Sequence, residues 1–192
     1  MKWIVLVIVL SLGAYTYLTL HYRKQHRSFE PYEDIRDRAN TLRLLSAGFQ
    51  RITVNAQRPA DPQPISGGAR ITPAPGGLPE ALRVTLVAPP QLPADYLRVT
   101  AAPSGRTRLP YPVQFTCSVG DHHQQFAGVR LYLRADQIMI VPEFERLGGQ
   151  LLARSRESFV LVTVPAGALK PGRYQVSLIG ARTSQTWPLQ VH

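Results

Sequence analysis

The chain has 192 residues, 44% hydrophobic and 18% charged, with 22 Lys and Arg against 12 Asp and Glu for a formal charge of +10. That length holds one compact domain with attachments rather than two full domains, and the ordinary apolar fraction excludes a disordered basic tail. A single cysteine, Cys117, excludes an internal disulfide and a cysteine-built zinc site.

Trp3 to Leu20 runs eighteen residues without a charge. As a helix rising about 1.5 Å per residue it reaches roughly 27 Å, enough to span a bilayer. Lys2 precedes the run and His21, Tyr22, Arg23, Lys24 and Arg27 follow it. Trp3, Tyr15, Tyr17 and Tyr22 lie toward its ends, as aromatic rings do at membrane interfaces. Residues 1–21 are therefore expected to form a single transmembrane anchor, with Trp3, Tyr15, Tyr17, Tyr22, Arg23 and Lys24 at its interfaces. The rival is a cleaved signal peptide, which Leu12 opposes by occupying the −3 place for cleavage after Ala14. No cysteine follows the run to be lipidated. The flanking charges are too even to fix orientation. A start with almost no residues before the apolar run is the build of a signal anchor, so the body of the protein is expected on the periplasmic side of a bacterial inner membrane.

Residues 22–57 read as a basic juxtamembrane segment, an amphipathic helix and a short strand. In PYEDIRDRANTLRLLSAGF, Ile35, Ala39, Leu42, Leu45 and Phe49 recur at helical steps and predict the buried face. Ser28 or Glu30 is placed to cap the start, Pro31 suits the first turn, Glu33, Asp34 and Asp37 face the positive dipole end, and Gly48 stops the helix. Those acids favour docking on the domain over lying on anionic lipid. Ile52, Val54 and Ala56 then alternate with polar residues as a strand. Residues 58–80 hold Pro59, Pro62, Pro64, Pro73, Pro75 and Pro79 with four glycines, which predicts a linker, extended briefly at Ala69 to Thr72.

Residues 81–192 carry an all-β pattern: LRVTLVA, DYLRVTA, VQFTCSV, GVRLYLRA, SFVLVTV, GRYQVSLIG and TWPLQV, separated by turn residues. Val113, Phe115, Cys117 and Val119 share one strand face, as do Val129, Leu131 and Leu133, and Val160, Val162 and Val164. That is enough for a two-sheet core, with Cys117 inside it. Val141 to Gly149 is read as a short helix or loop.

Leu169-Lys170-Pro171-Gly172-Arg173-Tyr174-Gln175-Val176 resembles the turn and penultimate strand of immunoglobulin-like and fibronectin type III-like sandwiches. The resemblance implies an Ig-like antiparallel β-sandwich in which Tyr174 closes a tyrosine corner on the backbone near Leu169, with Pro171 and Gly172 shaping the turn. The early core tryptophan of fibronectin modules has no counterpart, because the tryptophans are Trp3 and Trp187. The whole chain is thus expected to be mainly β behind one transmembrane helix and one amphipathic helix.

Motifs that carry chemistry are scarce. The sequence has no GxxxxGK[ST] loop, GxGxxG, HExxH, CxxC or GxSxG. Asp121, His122 and His123 are the candidate metal ligands, to be completed by His192, His26 or a carboxylate; adjacent histidines on a hairpin diverge, so no metal and no cofactor are expected. Glu143 and Glu145 are spaced to share one side of an extended segment but read as a solvated turn. Nineteen arginines stand against three lysines without a helix or aromatic stripe for nucleic acid, and Arg98, Arg106 and Arg108 form the densest group, to which Arg130 and Arg134 add only if strands bring them together. A polysaccharide-binding module should expose a row of aromatics on one sheet, and Tyr96, Tyr111, Tyr132 and Tyr174 are too scattered in sequence to show one. The expectation is a non-catalytic, single-pass accessory or scaffold protein, held in lipid by its N-terminal helix, whose sandwich docks on a larger membrane assembly. An envelope ligand-binding module and a small envelope enzyme are the rivals.

Overall fold

The computed structural model describes residues 2–21, 32–59, 61, 64–65, 68–149 and 151–192. The chain divides into two units, residues 1–38 and 39–192. In the first, α1 (Lys2–His21) is a 20-residue helix, and α2 (Tyr32–Ser46) begins there. Tyr22, Arg23, Lys24, Arg27, Ser28, Glu30 and Pro31, given interfacial or capping roles above, lie outside the described residues. Trp3, Ile8, Leu10, Leu12, Tyr15, Tyr17 and Leu18 of α1 are exposed. Among the described residues no helix is long and apolar enough to cross a membrane. The side chains at 4–7, 9 and 19–20, much of the apolar run, are outside the description, so the expected anchor is a reading of the sequence that the structure does not carry.

The second unit is two β-sheets packed face to face. One contains β2 (Asn55–Gln57), β9 (Glu157–Val164), β6 (Tyr111–Ser118) and β4 (Asp95–Ala101), side by side in that order. The other runs β1 (Gln50–Ile52), β7 (Gln124–Arg134), β8 (Gln137–Arg146), β10 (Gly172–Leu178), β11 (Thr183–Val191) and β3 (Thr72–Pro75), with β5 (Ser104–Gly105) also on β11. Alternation sends Val113, Phe115, Cys117, Val160, Val162 and Val164 from one sheet against Leu131, Ile138, Ile140, Val176, Leu178, Trp187 and Leu189 from the other, all buried. The sandwich is mixed rather than purely antiparallel: β8 runs parallel to β10, pairing Ile138 with Val176 and Ile140 with Leu178, and β5 runs parallel to β11.

A second core lies on the outer face of the larger sheet. Leu44 and Phe49, with Leu82 and Leu86 from α3 (Glu80–Thr85) and the residue following it, cover Tyr132, Met139, Val141 and Ile179. This corrects three sequence expectations. The first is LRVTLVA, which is not a strand: Leu82 and Leu86 are buried four residues apart while Val84 is exposed, so the period is helical, and Pro79 and Glu80 supply its start. Next, Val141 to Gly149 is not a helix or loop over most of its length, because β8 continues to Arg146. Its run Ile138, Met139, Ile140, Val141 is buried throughout because the strand is sandwiched between helices and the opposite sheet, which erases alternation. Finally, α2 turns a different face inward: Asn40 and Leu44 are buried, whereas Ala39, Leu42 and Leu45 are exposed. Gly48, at φ +78°, does end the helix, with the Phe49 amide donating to the Leu44 carbonyl and the Gly48 amide to that of Leu45.

The second half of the proline-rich stretch belongs to the sandwich and not to a linker. The Ala69 amide donates to the Ala101 carbonyl, β3 pairs with β11 from Thr72–Thr186 to Pro75–Thr183, and Gly77 donates to Gly180. Pro73 and Pro75 are tolerated because β3 is an edge strand, where a missing amide breaks no inner ladder.

Candidate functional site

The Asp121, His122 and His123 group sits in the turn between β6 and β7, with Asp121 bonded within the turn and His122 bonded to the β8–β9 connection. The Asp121 carboxylate accepts from the His123 amide at 2.9 Å, an Asx turn, and the His122 Nδ1 lies 3.2 Å from the Ala153 carbonyl. His192 follows β11 instead, where its amide donates to Gly105 and its carbonyl accepts from Thr107. Among the described residues no group of three or more His, Cys, Asp or Glu is placed to hold a metal. His26, the other histidine named for this group, lies outside the described residues.

Glu143 and Glu145 lie on β8 rather than in a solvated turn. Glu143 pairs with Arg130 at 2.9 Å, and Glu145 accepts from Gln125 at 2.6 Å across the β7–β8 hairpin. Arg134 stacks over the Phe49 ring at 5.1 Å. Cys117 is fully buried in the sandwich core, and burial pushes its thiol up to about 12, a protonated and unreactive state.

The scattered tyrosines Tyr96, Tyr111, Tyr132 and Tyr174 have structural partners. Tyr111 is buried, donates to the Ala102 carbonyl at 2.7 Å and accepts from the Trp187 indole at 3.1 Å. Burial pushes its hydroxyl up to about 12. Tyr96 donates to the Ile179 carbonyl at 2.6 Å and meets Phe115 edge to face, which ties β4 to the opposite sheet. Tyr132 is fully buried, and its raised hydroxyl owes that first to burial, with Arg130 opposing. The Tyr174 hydroxyl donates to the Lys170 carbonyl at 2.9 Å, four residues upstream, closing the Leu169–Pro171–Gly172 turn. The Trp187–Tyr111–Ala102 relay had no sequence signal, because its members are distant in the chain and hydrogen bonding between side chains leaves no period.

One concavity collects polar groups. At the end of the sandwich where β5 and the following loop meet the start of β6, a cleft of about 340 Å³ is lined by Ser104, Gly105, Arg106, Leu109, Pro110, Tyr111 and His192 among others. Arg106 provides a guanidinium, His192 an imidazole and Ser104 a hydroxyl. A cation, an imidazole and a hydroxyl are the groups that recognise an anion or a polyhydroxylated group. Arg106 belongs to the arginine group singled out above, while Arg130 and Arg134 are engaged elsewhere as described.

The chain matches no protein-family model, no curated protein and no solved structure.

Proposed function

We propose that the protein is a non-catalytic, single-pass membrane protein of a bacterial envelope. In this reading α1 is the anchor, the immunoglobulin-like sandwich faces the periplasm, and the sandwich docks as an accessory or scaffold subunit on a larger membrane assembly. The observation that supports it most is α1 itself. Its exposed apolar residues, Trp3, Ile8, Leu10, Leu12 and Leu18, are distributed around the helix rather than along one stripe. A helix apolar on all sides is stable only when surrounded by lipid or protein. The sandwich contributes rigid surface.

The test is mild-detergent extraction of the full chain from its native membrane, affinity purification and mass spectrometry of what co-elutes. Stoichiometric recovery of one membrane complex is the expected result. Recovery from the soluble fraction without detergent overturns the anchor, and recovery of the chain alone from detergent overturns the accessory role. A second reading, an envelope ligand-binding module for an anionic polysaccharide or other anionic polymer, is favoured by the Arg106–His192 cleft. It predicts binding that Arg106→Glu abolishes with the melting temperature unchanged.

A further inference from the structure

The smaller sheet buries side chains toward the sandwich core, and it also buries two on its outer side. In β6 and β9 alternation turns Val113, Phe115, Val160 and Val162 to the core and Gln114 and Leu161 away from it. Gln114 and Leu161 are nevertheless each 7% exposed, and they are cross-strand partners in the middle of the sheet. Their outward-facing neighbours Pro112, Thr116, Phe159 and Thr163 are only half-buried. A carboxamide and a leucine on the outer side of an antiparallel sheet are dry only where further chain lies on them.

The backbone on either side of the proline-rich stretch points to which chain that is. Gln57, the last residue of β2, pairs with Leu161, Leu161 with Gln114, and Gln114 with Thr100 of β4. On the free edge of β4 the Ala69 amide donates to the carbonyl of Ala101, next to Thr100. Residues 58–68 therefore leave the sheet at one edge and return at the opposite edge, within one residue of the same row. The straight line between the two points runs over Leu161 and Gln114. Four strand spacings of about 4.8 Å make that crossing about 19 Å. Twelve residue steps from Gln57 to Ala69, at the rise of about 3.1 Å of an extended proline-rich chain, reach about 37 Å, enough to clear the side chains. Pro59 and Ile65 are half-buried, and Ile65 is among the apolar residues of neither core. We propose that residues 58–68 dock across the outer face of the smaller sheet as an extended strap, with Leu161 as its apolar seat and Gln114 bonded to its backbone. A proline-rich chain suits that seat, because its backbone carbonyls have no partners of their own and are open to the Gln114 amide, and its fixed φ lessens the entropy lost on docking. A partner of the sandwich either docks elsewhere or displaces residues 58–68 first.

The experiment measures how fast a water-soluble maleimide labels single introduced cysteines in the full chain in detergent solution. Leu161→Cys reports the outer face, and Leu151→Cys, at a position 64% exposed, reports open solvent. Cys117 is left in place because it is buried, and its staying unlabelled reports that the sandwich is folded. Leu161→Cys is expected to label at least about tenfold more slowly than Leu151→Cys, and to approach its rate when residues 59–67 are replaced by glycine and serine. Ile65→Ser alone is expected to raise the rate part of the way, and it carries the test if the longer replacement unfolds the domain and labels Cys117. Labelling of Leu161→Cys as fast as Leu151→Cys in the otherwise unchanged chain overturns the docking. Slow labelling that neither replacement speeds overturns residues 58–68 as the occupant, and a rate that rises on dilution instead assigns the face to a second copy of the chain.

Discussion

Tyr111 and Tyr174 make the same kind of bond in different surroundings, and the difference sets what each is worth. Removing the Tyr174 hydroxyl costs the bond to Lys170 at a partly solvated turn, so Tyr174→Phe is expected to lower stability by about 1 kcal/mol or less. Removing that of Tyr111 leaves the Trp187 indole, fully buried, without an acceptor, and the Ala102 carbonyl without its donor. Tyr111→Phe is expected to cost about 2 kcal/mol, the penalty of an orphaned buried donor. Urea unfolding of the two variants checks the order, and equal losses would remove the relay from the account of the core. Gly180 shows a constraint of another kind: a Cβ there would overlap the Thr183 carbonyl and come within 2.9 Å of the Tyr96 ring. Gly180→Ala is expected to cost about 2 kcal/mol or more, since the obstruction is backbone and cannot rotate away; a melting temperature equal to the parent's would refute that contact. Of these residues Tyr174 was legible, because its turn is local and leaves a spaced motif. Tyr111, Trp187 and Gly180 were not, because their partners are set by how distant strands meet.

At the scale of the element, the sequence is most readable where one face of a strand is wet. β10 and β11 alternate because one face of each meets the other sheet's core, whereas in β6 and β9 Gln114 and Leu161 on the outward face are buried too. β8 is buried on both faces, so its apolar run carries no period, and α3 is six residues long, so the one helical step from Leu82 to Leu86 is hidden in a β-branched run. α2 misleads for the reverse reason. Its apolar residues occupy two sides, and the longer row, through Ala39, Leu42 and Leu45, is the exposed one. The assignment is checked by truncation: Leu44→Ala is expected to cost about 2–4 kcal/mol, whereas Leu42→Ala in detergent solution stays within about 0.5 kcal/mol. A larger loss at Leu42 than at Leu44 would show that the helix is rotated from the position described.

For the whole molecule, the sandwich was legible, while its outer helical layer and the cleft beside His192 were not. The cleft is walled by the stretch from Ala102 to Pro112 together with His192, which nothing in their spacing connects. Layering also concentrates acids in dry surroundings. Cys117 and Tyr111 are each pushed up to about 12, and burial raises Tyr96 and Tyr132 as well. The folded state therefore holds protons that the unfolded chain releases, first the thiol, from about pH 9, then the phenols, from about pH 10. Because the folded values are raised, the stability is whole below pH 9 and is lost as pH climbs toward 12, by up to about 1.4 kcal/mol per pH unit for each group within its window. Denaturant unfolding from pH 8 to 11 is expected to show a decline that begins near pH 9 and steepens above pH 10. In Cys117→Ala, lower in stability throughout from the cavity it leaves, the onset moves about one unit higher, to where the tyrosines begin. An onset unchanged by that substitution would mean that the thiol is not what the core first fails to ionise, and that Cys117 is wetter than its place between the two sheets requires.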